Sequence, residues 1–314
     1  MSNITTLVDL PELPTTNYEY IKDETRAKEV LAFLDQQSVL EVDTEGTSLD
    51  PFSCKTTLIQ IGIPNMAYVF DVRHDLPGIN IHGSLFKDIL TSKKHLKILQ
   101  NSSYDMKVLK VQYGFYIENI YDTMLAEILL YLGIQESGFS LAKLVEKYLG
   151  MLMNKEPRGT FEIYDQVYTD RQIAYAANDV CVLDIIRNAQ LVRINKYNLH
   201  EVLALEMAFT KALSEMELNG IKLDIKKWRI MMQECADELE IAKTVIENSL
   251  QVTQDQLSLF DIPTVNIASP IQLKNALNKL GLKIESTASE ALIKYSGNKI
   301  IDNLLKKRKN SKLV

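Results

Sequence analysis

The sequence predicts a mixed α/β fold for the first part of the chain and a smaller all-helical second domain. Short apolar runs that favour strands alternate with helix-periodic segments up to about residue 200. From Glu201 onward strand signals nearly vanish. A chain of 314 residues is also long enough to bury two separate cores. We therefore expect two domains, residues 1–200 and residues 201–314.

Five strands are expected in the first domain, at residues 39–45, 57–63, 67–72, 96–100 and 115–121. Pro64 and Asn65 join the second run to the third, which is a hairpin signal. The first three strands should therefore be antiparallel. The later strands alternate with helical segments, which predicts a mixed sheet flanked by helices.

Helical spacing is found on both sides of the domain boundary. In the first domain it covers residues 24–37, 81–91, 103–112, 123–132, 141–149 and about 170–196, after an irregular lead-in over residues 1 to about 25. In the second domain an apolar helix ends at Asn219 and Gly220, a C-cap signal. A long helix over about 225–250 follows, then shorter helices and a basic helix around 306–309.

Composition excludes several classes of protein. Hydrophobic residues make up 46% and charged residues 24% of the chain, so neither a membrane-spanning nor a disordered protein is expected. The N-terminus lacks the layout of a secretory signal. Three widely separated cysteines predict reduced thiols rather than disulfides or zinc ligands. We expect a cytoplasmic protein, and its net charge of −6 argues against general coating of polyanions.

Two carboxylates end the first predicted strand. Asp43 and Glu45 are two residues apart, so both project from the same face of the strand end. There they repel one another unless a cation lies between them. A strand that simply ends in a polar turn would have the same pattern, so a metal site requires partners further along the chain.

Two later segments supply such partners. Asp105 follows a predicted strand, where it either faces the end of the sheet or is a favourable acid in the first turn of a helix. Tyr175 and Asp179 lie one turn apart on a helix that is apolar nearly all round. A buried carboxylate in such a helix is costly unless it is paired or binds a metal. The alternative for this pair is a structural hydrogen bond.

The three motifs, D-x-E, N-x-x-Y-D and Y-x-x-x-D, resemble in order and spacing the exonuclease motifs of the DEDD superfamily. Ala174 stands where the sister branch has a histidine, so the similarity is to the tyrosine branch, as in proofreading domains of family A DNA polymerases and in RNase D. The resemblance covers most of residues 25 to 200. It implies an RNase H-like mixed five-stranded sheet with flanking helices.

The resemblance also implies a metal-dependent 3′–5′ exonuclease. Asp43, Glu45 and Asp179 would hold one divalent cation, Mg²⁺ or Mn²⁺, and Asp43 with Asp105 would hold a second, partly through water. Tyr175 would orient the attacking water. Four acids without cysteine or histidine are the ligands that these hard cations prefer.

The expected substrate is the 3′ end of single-stranded or frayed DNA. Contacts to it are expected from Thr44, Leu49, Asn101 and Tyr104. Leu49 would be an apolar wedge against the terminal base or, equally, a packed turn residue. The same motifs would serve an RNase D-like enzyme that trims RNA.

The second domain is similar to the region that opens the polymerase part of family A polymerases of bacteria and phages. The similar segments are residues 206–224 and, for the thumb, 266–273 and 304–313. Palm carboxylates and a fingers helix have no counterpart in the sequence, so we expect no polymerase site. Such a domain would hold primer–template duplex. An alternative of another class is a docking module for a separate chain that carries palm and fingers.

Overall fold

The computed structural model describes residues 10–132, 138–153, 159–251 and 265–313. The chain divides into two compact units, Met1–Gly220 and Ile221–Val314. The sequence predicted a domain boundary near residue 200. In the structure the first unit extends 20 residues further, to Gly220, and includes the helix that follows residue 200. Within the described ranges, none of the helices has the length and apolar character needed to cross a bilayer.

A six-stranded mixed sheet forms the centre of the first unit. Its strands are β1 (Tyr18–Ile21), β2 (Val39–Gly46), β3 (Thr56–Ile63), β4 (Met66–Asp71), β5 (Leu96–Leu99) and β6 (Ile120–Asp122). Their order across the sheet is β1-β4-β3-β2-β5-β6. The antiparallel arrangement predicted for β2, β3 and β4 is confirmed, whereas β1, β5 and β6 join in parallel.

The described sheet has six strands rather than the five expected, because β1 lies in the segment that the sequence assigned to an irregular lead-in. β1 pairs in parallel with β4, from Tyr18 opposite Ala67 to Ile21 opposite Phe70. Of its four residues, Ile21 alone is buried. An edge strand this short shows no recognisable apolar period, and its pairing depends on contacts distant in sequence.

The helices of the first unit are α1 (Glu24–Leu34), α2 (Lys87–Thr91), α3 (Ser102–Tyr113), α4 (Thr123–Leu130), α5 (Leu141–Leu149), α6 (Asp170–Cys181), α7 (Leu183–Tyr197) and α8 (His200–Asn219). A short 3₁₀ helix, Gly83–Phe86, leads into α2, so the helix expected over 81–91 has two parts. The bounds predicted for α5 are confirmed.

Helices cover both faces of the sheet. On one face, Leu40 and Val42 of β2 belong to a buried cluster that also contains α1 and α3 side chains. On the opposite face, Leu58 of β3 packs against Ala176 and Val180 of α6. Side chains alternate along a strand, so the odd-numbered residues of β2 from 41 to 45 project towards α6.

α6 and α7 are two helices where the sequence predicted one from about 170 to 196. The break falls at Val182, whose φ of −101° and ψ of −12° end α6. The buried carboxylate of Glu41 accepts a hydrogen bond from the backbone N–H of Asp184 at 2.7 Å, which satisfies a donor in the first turn of α7. Glu41 lies on β2, so the local sequence around residue 182 does not reveal its partner.

α8 packs within the first unit. Its Leu203 and Met207 share a buried cluster with Tyr121 of β6. The hydroxyl of Tyr116 donates a hydrogen bond to Glu215 near the end of the helix. These contacts explain why the first unit extends to Gly220.

The described part of the second unit is helical. Its helices are α9 (Ile225–Gln251), α10 (Pro270–Lys279), α11 (Ser289–Leu292) and α12 (Lys299–Asn310). Ile246 of α9, Leu277 of α10 and Leu304 of α12 meet in its buried core. The N-terminal part of α9 exposes large apolar side chains, among them Trp228 and Ile230.

Candidate active site

Three carboxylates meet beside the end of β2. Asp43, Glu45 and Asp179 each offer one oxygen, and these oxygens all lie within 4.8 Å of one another. Asp43 and Glu45 are half-buried, whereas Asp179 on α6 is buried. Like charges at this distance disfavour one another unless a cation or proton is shared between them. The structure thus brings together three of the four acids that the sequence predicted as metal ligands.

The N-terminal cap of α6 and the packing of the helix on the sheet together position Asp179 at the cluster. At its N-terminus, the Thr169 hydroxyl accepts a hydrogen bond from Gln172 N–H, and the Gln172 side chain accepts one from Thr169 N–H, which forms a capping box. Its apolar side packs on the sheet through residues such as Ala176 and Val180. Asp179, near the C-terminal end, therefore lies beside Asp43 and Glu45 at the end of β2.

Tyr175 lies beside the three acids, one helical turn before Asp179. Burial, followed by the charges of Asp179 and Glu45, raises the pKa of its hydroxyl. A hydrogen bond from the hydroxyl to Asp179, the structural pairing left open by the sequence, also raises this pKa, and the phenol therefore stays neutral at physiological pH. Its ring packs near Phe161, with 6.3 Å between the ring centroids.

Asp105 approaches from the opposite face of the sheet. It lies in the first turn of α3 and is buried, and its carboxylate accepts a hydrogen bond from the Thr44 hydroxyl at 2.6 Å. Burial, followed by the charge of Asp43, raises its pKa well above the ordinary value, and the bond from Thr44 opposes this. Asp105 is not among the three acids within 4.8 Å of one another. Asp43 is the member of that group whose negative charge acts on Asp105.

Thr44 was predicted to contact substrate, and the structure places its side chain inside the protein. The residue is buried, and its hydroxyl is used to hold Asp105. Because Thr44 alternates with Asp43 and Glu45, it points to the other face of β2. Its side chain therefore holds Asp105, a predicted metal ligand, by a hydrogen bond.

Asp122 holds the start of α3, although the sequence did not mark it as a site residue. Its carboxylate accepts hydrogen bonds from the backbone N–H groups of Asn101 at 3.1 Å and Ser102 at 2.7 Å. It also caps α4 through Met124 N–H at 2.8 Å. Asp122 directly precedes Thr123 and an apolar run, which is an N-cap signal for α4. The contact of Asp122 with the start of α3 could not be predicted in this way, because the two segments are distant in sequence.

The other predicted substrate residues lie on the loop after β2 and at the start of α3. Leu49 is 86% exposed and does not pack in the turn. The Tyr104 hydroxyl donates a hydrogen bond to the Ser48 carbonyl at 3.0 Å and lies 3.6 Å from Cys54 Sγ. A Cβ at Gly46 would lie 2.4 Å from that sulfur, so the close approach at the end of β2 requires glycine. Asn101 is exposed, with a left-handed φ of 63°.

The donor atoms of the cluster fit a divalent cation. The three carboxylate oxygens within 4.8 Å of one another are hard ligands of the type that Mg²⁺ and Mn²⁺ prefer. Asp43 and Glu45 are partly open to solvent, which leaves space for water and substrate oxygens around a bound cation. The arrangement can therefore support hydrolysis at a phosphate that binds the same cation.

Residues 18–192 match the family model of the 3′-5′ exonuclease domain of DNA polymerase A type. The chain belongs to this family. Domains of this kind are metal-dependent hydrolytic nucleases, and the matched range contains every residue that the sequence predicted to be catalytic. The family membership confirms the relationship that the three motifs predicted.

A curated relative matches nearly the whole chain. DNA polymerase I of Aquifex aeolicus is 27% identical over 322 residues, which cover 95% of this chain and 51% of the relative. The chain therefore spans about half the length of this polymerase. The match extends beyond the exonuclease family model into the helical second unit.

Two solved structures have a similar fold. The POL domain of Pol1 from M. smegmatis, in complex with DNA primer-template and dNTP, has a TM-score of 0.62 at 19% identity, covering 93% of this chain and 48% of that one. Escherichia coli RNase D, an exoribonuclease involved in structured RNA processing, has a TM-score of 0.56 at 18% identity, covering 94% and 75%. These similarities confirm the RNase H-like mixed sheet with flanking helices.

Proposed function

We propose that this protein removes nucleotides from the 3′ end of single-stranded or frayed DNA, with two divalent cations, Mg²⁺ or Mn²⁺. The observation that supports this most directly is the group of Asp43, Glu45 and Asp179, whose carboxylate oxygens lie within 4.8 Å of one another. It occurs in a chain that belongs to the 3′-5′ exonuclease family.

Each acid has a separate task in the proposed reaction. Asp43, Glu45 and Asp179 would hold one cation, and Asp43 with Asp105 would hold the other. When bound, the cations activate a water and stabilise the leaving oxygen of an in-line displacement. The neutral hydroxyl of Tyr175, one helical turn from Asp179, would form a hydrogen bond with the attacking water and orient it.

Residues on the loop after β2 and at the start of α3 would contact the terminal nucleotide. Leu49, 86% exposed on the loop after β2, would pack against the terminal base as an apolar wedge. Asn101 and the half-buried Tyr104, at the start of α3, would contact the same nucleotide, since the Tyr104 hydroxyl bonds to the Ser48 carbonyl in the loop that carries Leu49. A paired base would have to fray before its 3′ nucleotide could reach the acids.

DNA is the favoured substrate because the family model is that of a DNA polymerase type and the Aquifex relative is a DNA polymerase. RNA is the second candidate because Escherichia coli RNase D shares the fold.

The Aquifex polymerase and the Escherichia coli nuclease are both bacterial proteins, which favours action in a bacterial cytoplasm.

The test is digestion of 5′-labelled single-stranded DNA and RNA of one sequence, with Mg²⁺, with Mn²⁺ and with chelator. We expect a ladder that shortens from the 3′ end of DNA, and no products in chelator. Asp179→Asn is the matched variant that should remove activity. Faster loss of RNA than of DNA would favour the second candidate, and release of the 5′ nucleotide first would contradict both.

We propose that the second unit binds primer–template duplex or a separate chain that carries palm and fingers, and performs no synthesis itself. Two observations support this. The last turn of α12 carries Lys307, Arg308 and Lys309, which suits contact with a phosphate backbone. α9 exposes Trp228 and Ile230, which suits contact with a protein surface.

A further inference from the structure

Gln60 is a fully buried amide at the centre of the sheet. It lies on β3 with no exposed surface, and neither Nε2 nor Oε1 of its side chain has a hydrogen-bond partner in the structure. A primary amide offers two donor hydrogens and one acceptor oxygen. Burying them unpaired opposes folding, so an unpaired amide in a native core requires an explanation.

The register of the sheet places Gln60 directly opposite Asp43. Opposite residues of an antiparallel pair project from the same face, with their Cβ atoms about 4.5–5.5 Å apart. On the other side of β3, Val69 is opposite Gln60, and Val69 packs against α6. Gln60 therefore shares with Asp43 the face that is covered by the helix carrying Tyr175 and Asp179.

We propose that Gln60 is a positioning residue of the exonuclease site, whose side-chain N–H donates a hydrogen bond to the Asp43 carboxylate when that carboxylate binds a cation. This inference rests on the proposed function. Carboxylates that bind metal ions are usually held by further hydrogen bonds, and these partners strongly influence metal affinity. A glutamine on the neighbouring strand is long enough to reach a carboxylate on the same face.

The unpaired amide of Gln60 in the protein without a cation distinguishes a positioning role from a role in core packing. A residue that only fills the core needs no polar atoms, and methionine fills nearly the same volume. Replacing an unpaired buried amide with an apolar side chain should stabilise the cation-free protein. Glutamine at this position thus has a cost in stability, which is typical of residues at functional sites.

Gln190 provides a matched control. It is also fully buried and lies on α7, away from β3. Unlike Gln60, its amide is satisfied: Nε2 donates to the Thr123 carbonyl at 2.8 Å and to Glu127 at 2.9 Å, and Oε1 accepts from the Tyr121 hydroxyl at 3.1 Å. The two glutamines therefore differ in their partners and not in their burial.

The experiment compares the full chain with its Gln60→Met and Gln190→Met variants. Thermal unfolding in chelator gives the cation-free Tm, and calorimetric titration with Mn²⁺ gives the cation affinity. For Gln60→Met we expect a cation-free Tm about 2–4 °C above the parent. We also expect a dissociation constant for Mn²⁺ about 10- to 100-fold weaker. Gln190→Met should lower the Tm and leave the affinity for Mn²⁺ within about twofold of the parent.

Kinetics on single-stranded DNA give a further readout. At subsaturating Mn²⁺, Gln60→Met should reduce kcat while leaving KM for DNA unchanged, and added Mn²⁺ should restore part of the loss. The positioning role is wrong if Gln60→Met keeps the parent's Mn²⁺ affinity, or if it lowers the cation-free Tm as Gln190→Met does. Failure of the proposed function would look different, because the parent itself would then neither bind Mn²⁺ nor digest nucleic acid.

Discussion

At the scale of single residues, Asp43 is the acid on which both proposed cation positions depend. It shares the group of three carboxylate oxygens with Glu45 and Asp179, and its charge also raises the pKa of Asp105. Removing this one charge should therefore affect both cations and relieve repulsion in the cation-free protein.

Asp43→Asn keeps the shape of the side chain and removes its charge. We expect it to abolish exonuclease activity, since a neutral amide is a poor ligand for a hard cation. The cation-free Tm should stay the same or rise, because repulsion among the acids decreases. The control is Asp88→Asn, at an exposed position on α2, which should leave both quantities unchanged. Asp43→Asn activity within about tenfold of the parent would contradict the assignment.

Tyr175→Phe should have a milder effect, because it removes one hydrogen bond to water rather than a metal ligand. We expect kcat to fall about 10- to 100-fold, which corresponds to about 1–3 kcal/mol. The affinity for Mn²⁺, measured by calorimetric titration, should not change. A loss of activity as complete as that of Asp43→Asn, or a weaker affinity for Mn²⁺, would show that the tyrosine has another role.

The proximity of the candidate acids could be predicted from the sequence because each lies in a short motif with its own spacing. Asp43, Glu45 and Asp179 are close together as expected. Gln60 and Asp122 could not be predicted in this way. The position of Gln60 opposite Asp43 depends on strand register, and the hold of Asp122 on α3 depends on a segment elsewhere in the chain.

At the scale of elements, β5 and α2 are joined by a buried lysine. Lys97 of β5 donates hydrogen bonds to the carbonyls of Ser92, which follows α2, and of His95. Burial lowers the pKa of its amino group from about 10.5 to about 8, and the charge of Glu118 opposes this. Between these two values the unfolded chain binds more protons than the folded protein, so stability should rise with pH over this window.

Lys97→Met removes this titration and isolates its contribution. The difference in the free energy of unfolding, parent minus variant, should grow between pH 8 and pH 10.5 by at most about 3 kcal/mol, since one pKa unit corresponds to about 1.4 kcal/mol. Urea unfolding at several pH values measures it. A difference that is constant across this range would show that the amino group keeps its ordinary pKa, and one that shrinks as pH rises would show that the pKa is raised instead.

α8 should be required for a stable first unit, although the sequence assigned it to the second domain. A protein of residues 1–199 loses the buried Leu203 and Met207, whereas residues 1–220 keep them. Loss of two large buried side chains should cost at least about 3 kcal/mol of unfolding free energy. Urea unfolding of the two proteins tests this, and equal midpoints would show that α8 adds nothing to the first unit.

Long periodic elements were predictable, and elements set by distant partners were not. α5 has the bounds that its apolar period predicts. β1 was missed because its pairing with β4 is its main structural determinant. The break between α6 and α7 was missed because its partner, Glu41, comes from β2. In these cases tertiary contacts override the local pattern.

At the scale of the whole molecule, the two units should divide the work between cutting and holding. The chain spans about half the length of the Aquifex polymerase, and the exonuclease family model ends within the first unit. The acids lie entirely in the first unit, whereas the basic last turn of α12 lies in the second.

A protein of residues 1–220 should therefore cut short single-stranded DNA at nearly the rate of the full chain. Its affinity for primer–template duplex should fall, with a smaller dependence on salt, because fewer phosphate contacts remain. Gel-shift titration at two salt concentrations, together with single-strand digestion, separates the two effects. Equal affinity of both proteins for duplex would show that the second unit does not bind duplex and has only a structural role. Neither protein should incorporate nucleotides.

The proposed nuclease centre draws three of its acids from β2 and α6, which lie near the beginning and the end of the exonuclease sequence. During synthesis, Asp43 leaves the ribosome long before Asp179 does, and the group of three carboxylates is incomplete until α6 has folded onto the sheet. A nascent or prematurely terminated chain thus carries the D-x-E motif without a complete cation site. The order of the motifs thus delays assembly of the proposed cation site until the last helix of the group, α6, is in place.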